Sequence, residues 1–140
     1  MARRRRRTQG PPPQRLILDA GAIVALSREE PRARAVLAGA REARIHVSVP
    51  SAVVAETVRG VAEDAPVNRV LEAIGEVDVA NEAIGRTAGR LLGEASSSAT
   101  VDALVVATAV EAGGAVVLTG DPDDLGALAV DHREVVIKAL

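Results

Sequence analysis

Asp19, Glu56 and Asp102 are each the only acid in a long apolar stretch of the chain. An ionised carboxylate buried without a partner costs several kcal/mol, and the usual compensations are a cation, a salt bridge or protonation. The basic candidates Arg15, Arg28, Arg44 and Arg59 flank these stretches rather than lying inside them. The three acids therefore point toward a partner that the chain does not encode, and a divalent metal ion is the simplest. A fourth acid, Asp121, opens the run Asp-Pro-Asp-Asp. There is no Cys, and His46 and His132 are the only histidines. Thiolate zinc sites and disulfides are thereby excluded, and any metal would be held by oxygen, which selects magnesium or manganese.

The hydropathy pattern supplies the elements that must position these acids. Leu16-Ile17-Leu18 reads as a strand buried on both faces, and Ala20 to Leu26 turns to helical spacing, with Asp19 at the junction. A helix over Arg32 to Arg41 follows Pro31. His46 to Val49 is the next strand, and Pro50 suits the first turn of another helix, with Glu56 about two turns in. After a loop around Glu63 to Pro66 come a helix near Val67 to Ile74, a short strand near Val77 to Val79 and a helix from about Asn81 to Glu94. Ser96 to Ser98 break the pattern. Thr100 to Ala112 is an apolar helix with Asp102 in its first turn, then Val116 to Leu118 a strand, Leu125 to Ala129 a helix and Val135 to Ile137 a last strand. Short strands alternating with helices predict a three-layer α/β/α fold around a mainly parallel sheet. Such sheets bind ligands beyond the carboxyl ends of their strands, the edge to which all four acids are assigned.

Each acid also has a plainer role open to it. Asp19 suits an N-cap, Asp102 suits the positive end of a helix dipole, and Glu56 suits the solvent edge of an amphipathic helix. Asp121-Pro122-Asp123-Asp124 is nearly an ideal helix opening, with Asp121 as N-cap. The same segment partly imitates a calcium loop, but Leu125 and His132 fall where oxygen ligands are needed. The two histidines read as surface or strand-end residues. No phosphate-binding glycine loop, nucleophile elbow or dinucleotide fingerprint is present.

At 140 residues the chain is one domain. It contains no Phe, Tyr or Trp, which argues against nucleic-acid modules that stack bases on aromatic platforms. Five of its 17 basic residues are Arg3 to Arg7, leaving 12 against 19 acids in the rest. Residues 1–14 therefore read as a flexible Arg- and Pro-rich leader and residues 15–140 as the folded domain. Such a run is either a solvated tail or a contact for a polyanion. With no run of about 18 apolar residues and no apolar segment after the arginines, a cytoplasmic protein without a membrane association is expected.

The series Leu-Ile-Leu-Asp19-Ala-Gly-Ala-Ile-Val-Ala-Leu, Ala-Glu56-Thr-Val-Arg-Gly, Asp102-Ala-Leu-Val-Val-Ala-Thr-Ala and Leu-Thr119-Gly-Asp121-Pro-Asp-Asp-Leu resembles the PIN-domain ribonucleases, and among them the VapC-type toxins of bacterial toxin–antitoxin pairs. The resemblance implies a magnesium-dependent endoribonuclease, with manganese as a substitute. It makes Asp19, Glu56, Asp102 and Asp121 the catalytic acids, with Asp19 and Asp102 as direct metal ligands and Thr119 a hydroxyl beside them. It further implies an RNA substrate, an antitoxin protein as partner and a homodimer. The pattern departs in one place: the family often carries Ser or Thr within two positions of the first Asp, and this chain has Ala20-Gly21, so hydroxyl support at Asp19 is expected to be missing. Two other readings remain. One is a non-catalytic PIN-like module that binds RNA or protein. The other is a receiver-like phosphoacceptor domain, which fits poorly because the first strand supplies only one acid.

Overall fold

The computed structural model describes residues 15–140, and the expected leader over residues 1–14 lies outside the described residues. The chain runs β1 (Arg15–Leu18), α1 (Ala20–Ser27), α2 (Pro31–Glu42), β2 (His46–Pro50), α3 (Ser51–Thr57), a 3-10 turn (Ala62–Asp64), α4 (Ala65–Ile74), β3 (Val77–Asp78), α5 (Glu82–Ala95), α6 (Thr100–Glu111), β4 (Ala115–Thr119), α7 (Pro122–Leu128) and β5 (Val135–Ala139). Each expected element is present. The largest shift is at Glu63 to Pro66, expected as loop, where a 3-10 turn leads directly into α4. Pro66 is tolerated there because the first helical N–H groups have no carbonyl to bond. The last helix starts three residues earlier than its apolar spacing indicates, at Pro122.

All four strand pairings are parallel, and the sheet order is β3-β2-β1-β4-β5. Leu16, Ile17 and Leu18 pair with β4 on one side, while Leu16 and Ile17 pair with β2 on the other. This central position accounts for the uninterrupted apolar run of β1, whose two faces are both covered by helices. The core is aliphatic: Ile17, Leu18, Ile23, Val49, Val53, Leu91, Val106, Val117, Leu118 and Leu125 are fully buried. Helices α2 and α4 pack on α1, α5 and α7 pack on α6, and α3 touches both α1 and α6. The result is the three-layer α/β/α arrangement.

Strand order reverses between β1 and β4. From β1 the chain moves outward to β2 and β3, then returns to place β4 and β5 on the other side. A crevice forms at such a reversal, at the carboxyl ends of the two central strands. Asp19 directly follows β1, and Thr119 ends β4.

Candidate active site

Asp19 is only 6% exposed, yet its carboxylate is well supplied with donors. It caps α1, with Oδ1 accepting from the backbone N–H of Gly21 (2.8 Å) and of Ala22 (3.4 Å). Its other oxygen accepts a 2.5 Å bond from the Thr119 hydroxyl. The Thr119 Oγ1 in turn accepts from the Asp121 N–H at 2.9 Å. Hydroxyl support at Asp19 is therefore present, contrary to the expectation, and it comes from across the switch point rather than from the next residues. Sterics exclude a side chain at the second of those positions. A Cβ on Gly21 would lie 2.9 Å from the Gly120 nitrogen and 3.2 Å from its Cα, so a Ser or Thr there would force the two turns apart.

Even with three donors, the Asp19 carboxyl is pushed above its ordinary range, because burial outweighs its hydrogen bonds and the Asp121 charge adds to it. Asp102 lies in the first turn of α6, half-buried. Its carboxyl is raised by burial and then by the charges of Asp19, Asp121 and Asp124. Glu56 is on the exposed side of α3 near its C-terminal end. Burial, Asp102 and Asp19 raise it, Arg59 opposes them, and Asp121 adds a smaller push in the same direction. Asp121 precedes α7, but its carboxylate makes no capping bond. Asp121 is the N-cap residue by position, as expected, and its carbonyl accepts from the Leu125 N–H at 3.2 Å, but the side-chain cap is not made. At φ −121° and ψ 64° its backbone departs from the extended cap geometry seen at Asp19 (φ −86°, ψ −178°).

Four elements thus bring the four acids within reach of one another's charge at one rim. Helix α3 is the link, since contact with both α1 and α6 puts Glu56 within the field of Asp19 and Asp102. The donor set suits a hard divalent cation: it is oxygen only and multiply charged, and Asp19, Glu56 and Asp102 are raised in pKa by burial first and by neighbouring acids after it. Among the described residues no three acids or histidines are drawn together closely enough to form a finished ligand group. A groove of about 520 Å³ lies elsewhere, lined by Leu26, Leu37, Val70 and the arginines Arg28, Arg34 and Arg69. It sits at the far end of α1 from Asp19 and has no part in the acid chemistry.

Two contributors were not anticipated from sequence. Asp64, in a segment expected as loop, is buried and its Oδ2 accepts from the N–H groups of Arg59 (2.9 Å), Gly60 (2.7 Å) and Val61 (3.1 Å). These bonds, that to Val61 foremost, outweigh burial and hold its carboxyl below its ordinary range. The spacing Gly60 to Asp64 was the available signal. The second is the close approach of Gly21 to Gly120, which nothing in either local segment announces. Both histidines are as expected, His46 on Glu76 at 2.6 Å and His132 on Glu134 at 3.1 Å, away from the rim.

The PIN domain family model matches residues 16–130. The chain belongs to the PIN domain family. Its fold is also that of several solved structures. VapBC2 from Rickettsia felis, solved bound to a DNA fragment from its promoter, superposes with a TM-score of 0.69 at 12% identity, covering 90% of this chain and 98% of that one. A toxin–antitoxin complex from Klebsiella pneumoniae gives 0.66 at 18% identity, covering 86% and 95%. DNA-bound VapBC from Salmonella typhimurium gives 0.64 at 15%, covering 89% and 97%. No curated protein matches the chain. At these identities the likeness establishes the fold, and the function rests on the rim.

No helix among the described residues is long and apolar enough to cross a membrane.

Proposed function

We propose that this PIN domain is a divalent-metal-dependent endoribonuclease, the toxin of a type II toxin–antitoxin pair. One observation carries the reading: Asp19, Glu56, Asp102 and Asp121, from four separate elements, act on one another's charge at the switch point of the sheet. Asp19 and Asp102 are the residues that would hold the ion, Mg²⁺ or Mn²⁺. When bound, the ion supplies charge neutralisation for the phosphodiester and activates water for attack.

The protein's own groups have separate tasks. Thr119 and the α1 N–H groups fix the orientation of Asp19, so its carboxylate does not turn away from the crevice. Glu56, exposed and raised in pKa, is suited to orient the attacking water and take its proton. Asp121 is the other candidate for that task, since its carboxylate is not consumed in a cap. No covalent protein intermediate is needed. The likeness to toxin–antitoxin structures supports an antitoxin as partner, and a homodimer and a cytoplasmic location accompany that reading.

The test is cleavage of a panel of single-stranded and structured RNAs by antitoxin-free protein with Mg²⁺, with Mn²⁺ and with chelator. Metal-dependent cutting is expected. Inactivity of folded protein across the panel would instead favour a non-catalytic module binding RNA or protein, the reading to which the incompletely gathered ligand group lends support.

A further inference from the structure

We infer that Arg59 is the residue of the acid rim that grips the substrate backbone, binding the RNA phosphate next to the one cleaved, an inference that rests on the ribonuclease reading above. Among the described residues, the charges that bear most on Asp19, Glu56 and Asp102 are acidic except Arg59, which acts on Glu56. A rim of this sign repels a polyanion. A cation fixed at its edge gives the phosphate chain a place to attach and determines which backbone unit faces the acids.

Arg59 is built for that role at both ends. Its Nη1 donates to the carbonyls of Ala55 (2.8 Å) and Val58 (3.1 Å), so the guanidinium is folded back onto the C-terminal end of α3, beside Glu56. Its backbone N–H is bound to Asp64 Oδ2, together with those of Gly60 and Val61. Gly60 is at φ +77°, a left-handed conformation that a side chain would strain. The loop after α3 is therefore pinned by one buried carboxylate, and Asp64 acts as a positioning residue for Arg59. Among the described residues Nε and Nη2 of Arg59 make no hydrogen bond, and the residue is exposed. These are the donors that a guanidinium offers to phosphate as a planar fork. The carbonyl bonds fix the fork before substrate arrives, so little side-chain freedom is lost on binding.

Binding and cleavage are measured separately. Affinity for labelled single-stranded RNA is followed by fluorescence anisotropy across a salt series, in the Asp102→Asn background with Mg²⁺, with and without Arg59→Gln and Arg59→Lys. KM and kcat for RNA cleavage are taken in the otherwise wild-type protein. Arg59→Gln is expected to weaken binding about tenfold and to make the salt dependence shallower by about 0.7 in the log–log slope, the share of one phosphate contact on a single strand. KM rises accordingly, while thermal unfolding stays close to that of the parent. Arg59→Lys should keep the salt slope and recover only part of the affinity, because an ammonium lacks the fork. Unchanged affinity and slope in Arg59→Gln, or the absence of RNA binding by the parent, overturns the inference. If the parent binds RNA through Arg59 but wild-type protein cuts nothing, the nuclease reading fails and the assignment of Arg59 stands.

Discussion

Asp19 and Asp64 are almost equally buried, at 6% and 7% exposure, and each accepts three hydrogen bonds, yet their carboxyls are displaced in opposite directions. Asp64 gathers three N–H groups on a single oxygen and has Arg59 beside it. Asp19 has donors on both oxygens, but burial outweighs them, and the charge of Asp121 adds a smaller push in the same direction. The loop after α3 is electrostatically complete, whereas the rim is left with negative charge that, among the described residues, Arg59 offsets only in part, at Glu56. Buried carboxylates are ordinarily satisfied where their role is structural. On the proposed function, the excess at the rim is where a cation and a polyanion would be accommodated.

The largest effect expected from breaking this contrast is on catalysis. Asp19→Asn and Asp102→Asn should reduce RNA cleavage by about a thousandfold or more, the scale on which removal of a group stabilising transition-state charge is felt. Stability should move the other way in Asp102→Asn, where no hydrogen bond is lost and a repelled charge is removed. A higher thermal midpoint than wild type, measured without divalent ions, is the expected outcome. A lower one would mean that the rim is not under charge repulsion.

Thr119→Val sharpens the comparison by stripping one donor from Asp19. The buried Asp19 oxygen and the Asp121 N–H lose their shared hydroxyl, and a loss of about 1 to 3 kcal/mol in denaturant unfolding is expected. The Asp19 carboxyl should rise further, moving the acid limb of the pH–rate profile upward. No movement of that limb would show that Asp19 ionisation does not govern the rate.

The pH dependence of stability should separate the two regions by sign. Asp64 titrates lower folded than unfolded, so its stabilisation is present above about pH 4 and is lost as pH falls through its lowered value. Asp19, Glu56 and Asp102 titrate higher folded than unfolded, so the native rim keeps protons longer and stability declines as pH rises from about 4 through their raised values. Asp64→Asn should weaken the acid-side loss and Asp102→Asn the decline toward neutrality, both read from thermal midpoints across a pH series. The same slope in wild type and Asp102→Asn would contradict the assignment.

Much of this was legible in the chain because strands and helices announce themselves by period, and Leu16-Ile17-Leu18 fits a strand covered on both faces. The acids stood out for the same reason, as single charges in apolar runs. What could not be read locally was pairing across distance. Thr119 lies 100 residues from the carboxylate it supports, and the clash that excludes a side chain at Gly21 exists only once β1 and β4 are neighbours. Asp64 is not distinguishable in sequence because Asp-Ala-Pro reads as a loop, while its carboxylate turns back toward the preceding segment. The Asp121 opening places the N-cap and Pro122 correctly, and only the side-chain bond of the cap is missing, because the backbone at Asp121 departs from the extended cap geometry.

The central claim is that the rim is a cation site left open by the chain, and calorimetric titration of Mg²⁺ into the antitoxin-free protein near neutral pH tests it without reference to any RNA. Wild-type protein should bind the ion and gain thermal stability from it, and Asp19→Asn and Asp102→Asn should lose most of both responses while remaining folded. Failure of wild type to bind, or equal binding by Asp102→Asn, would contradict it.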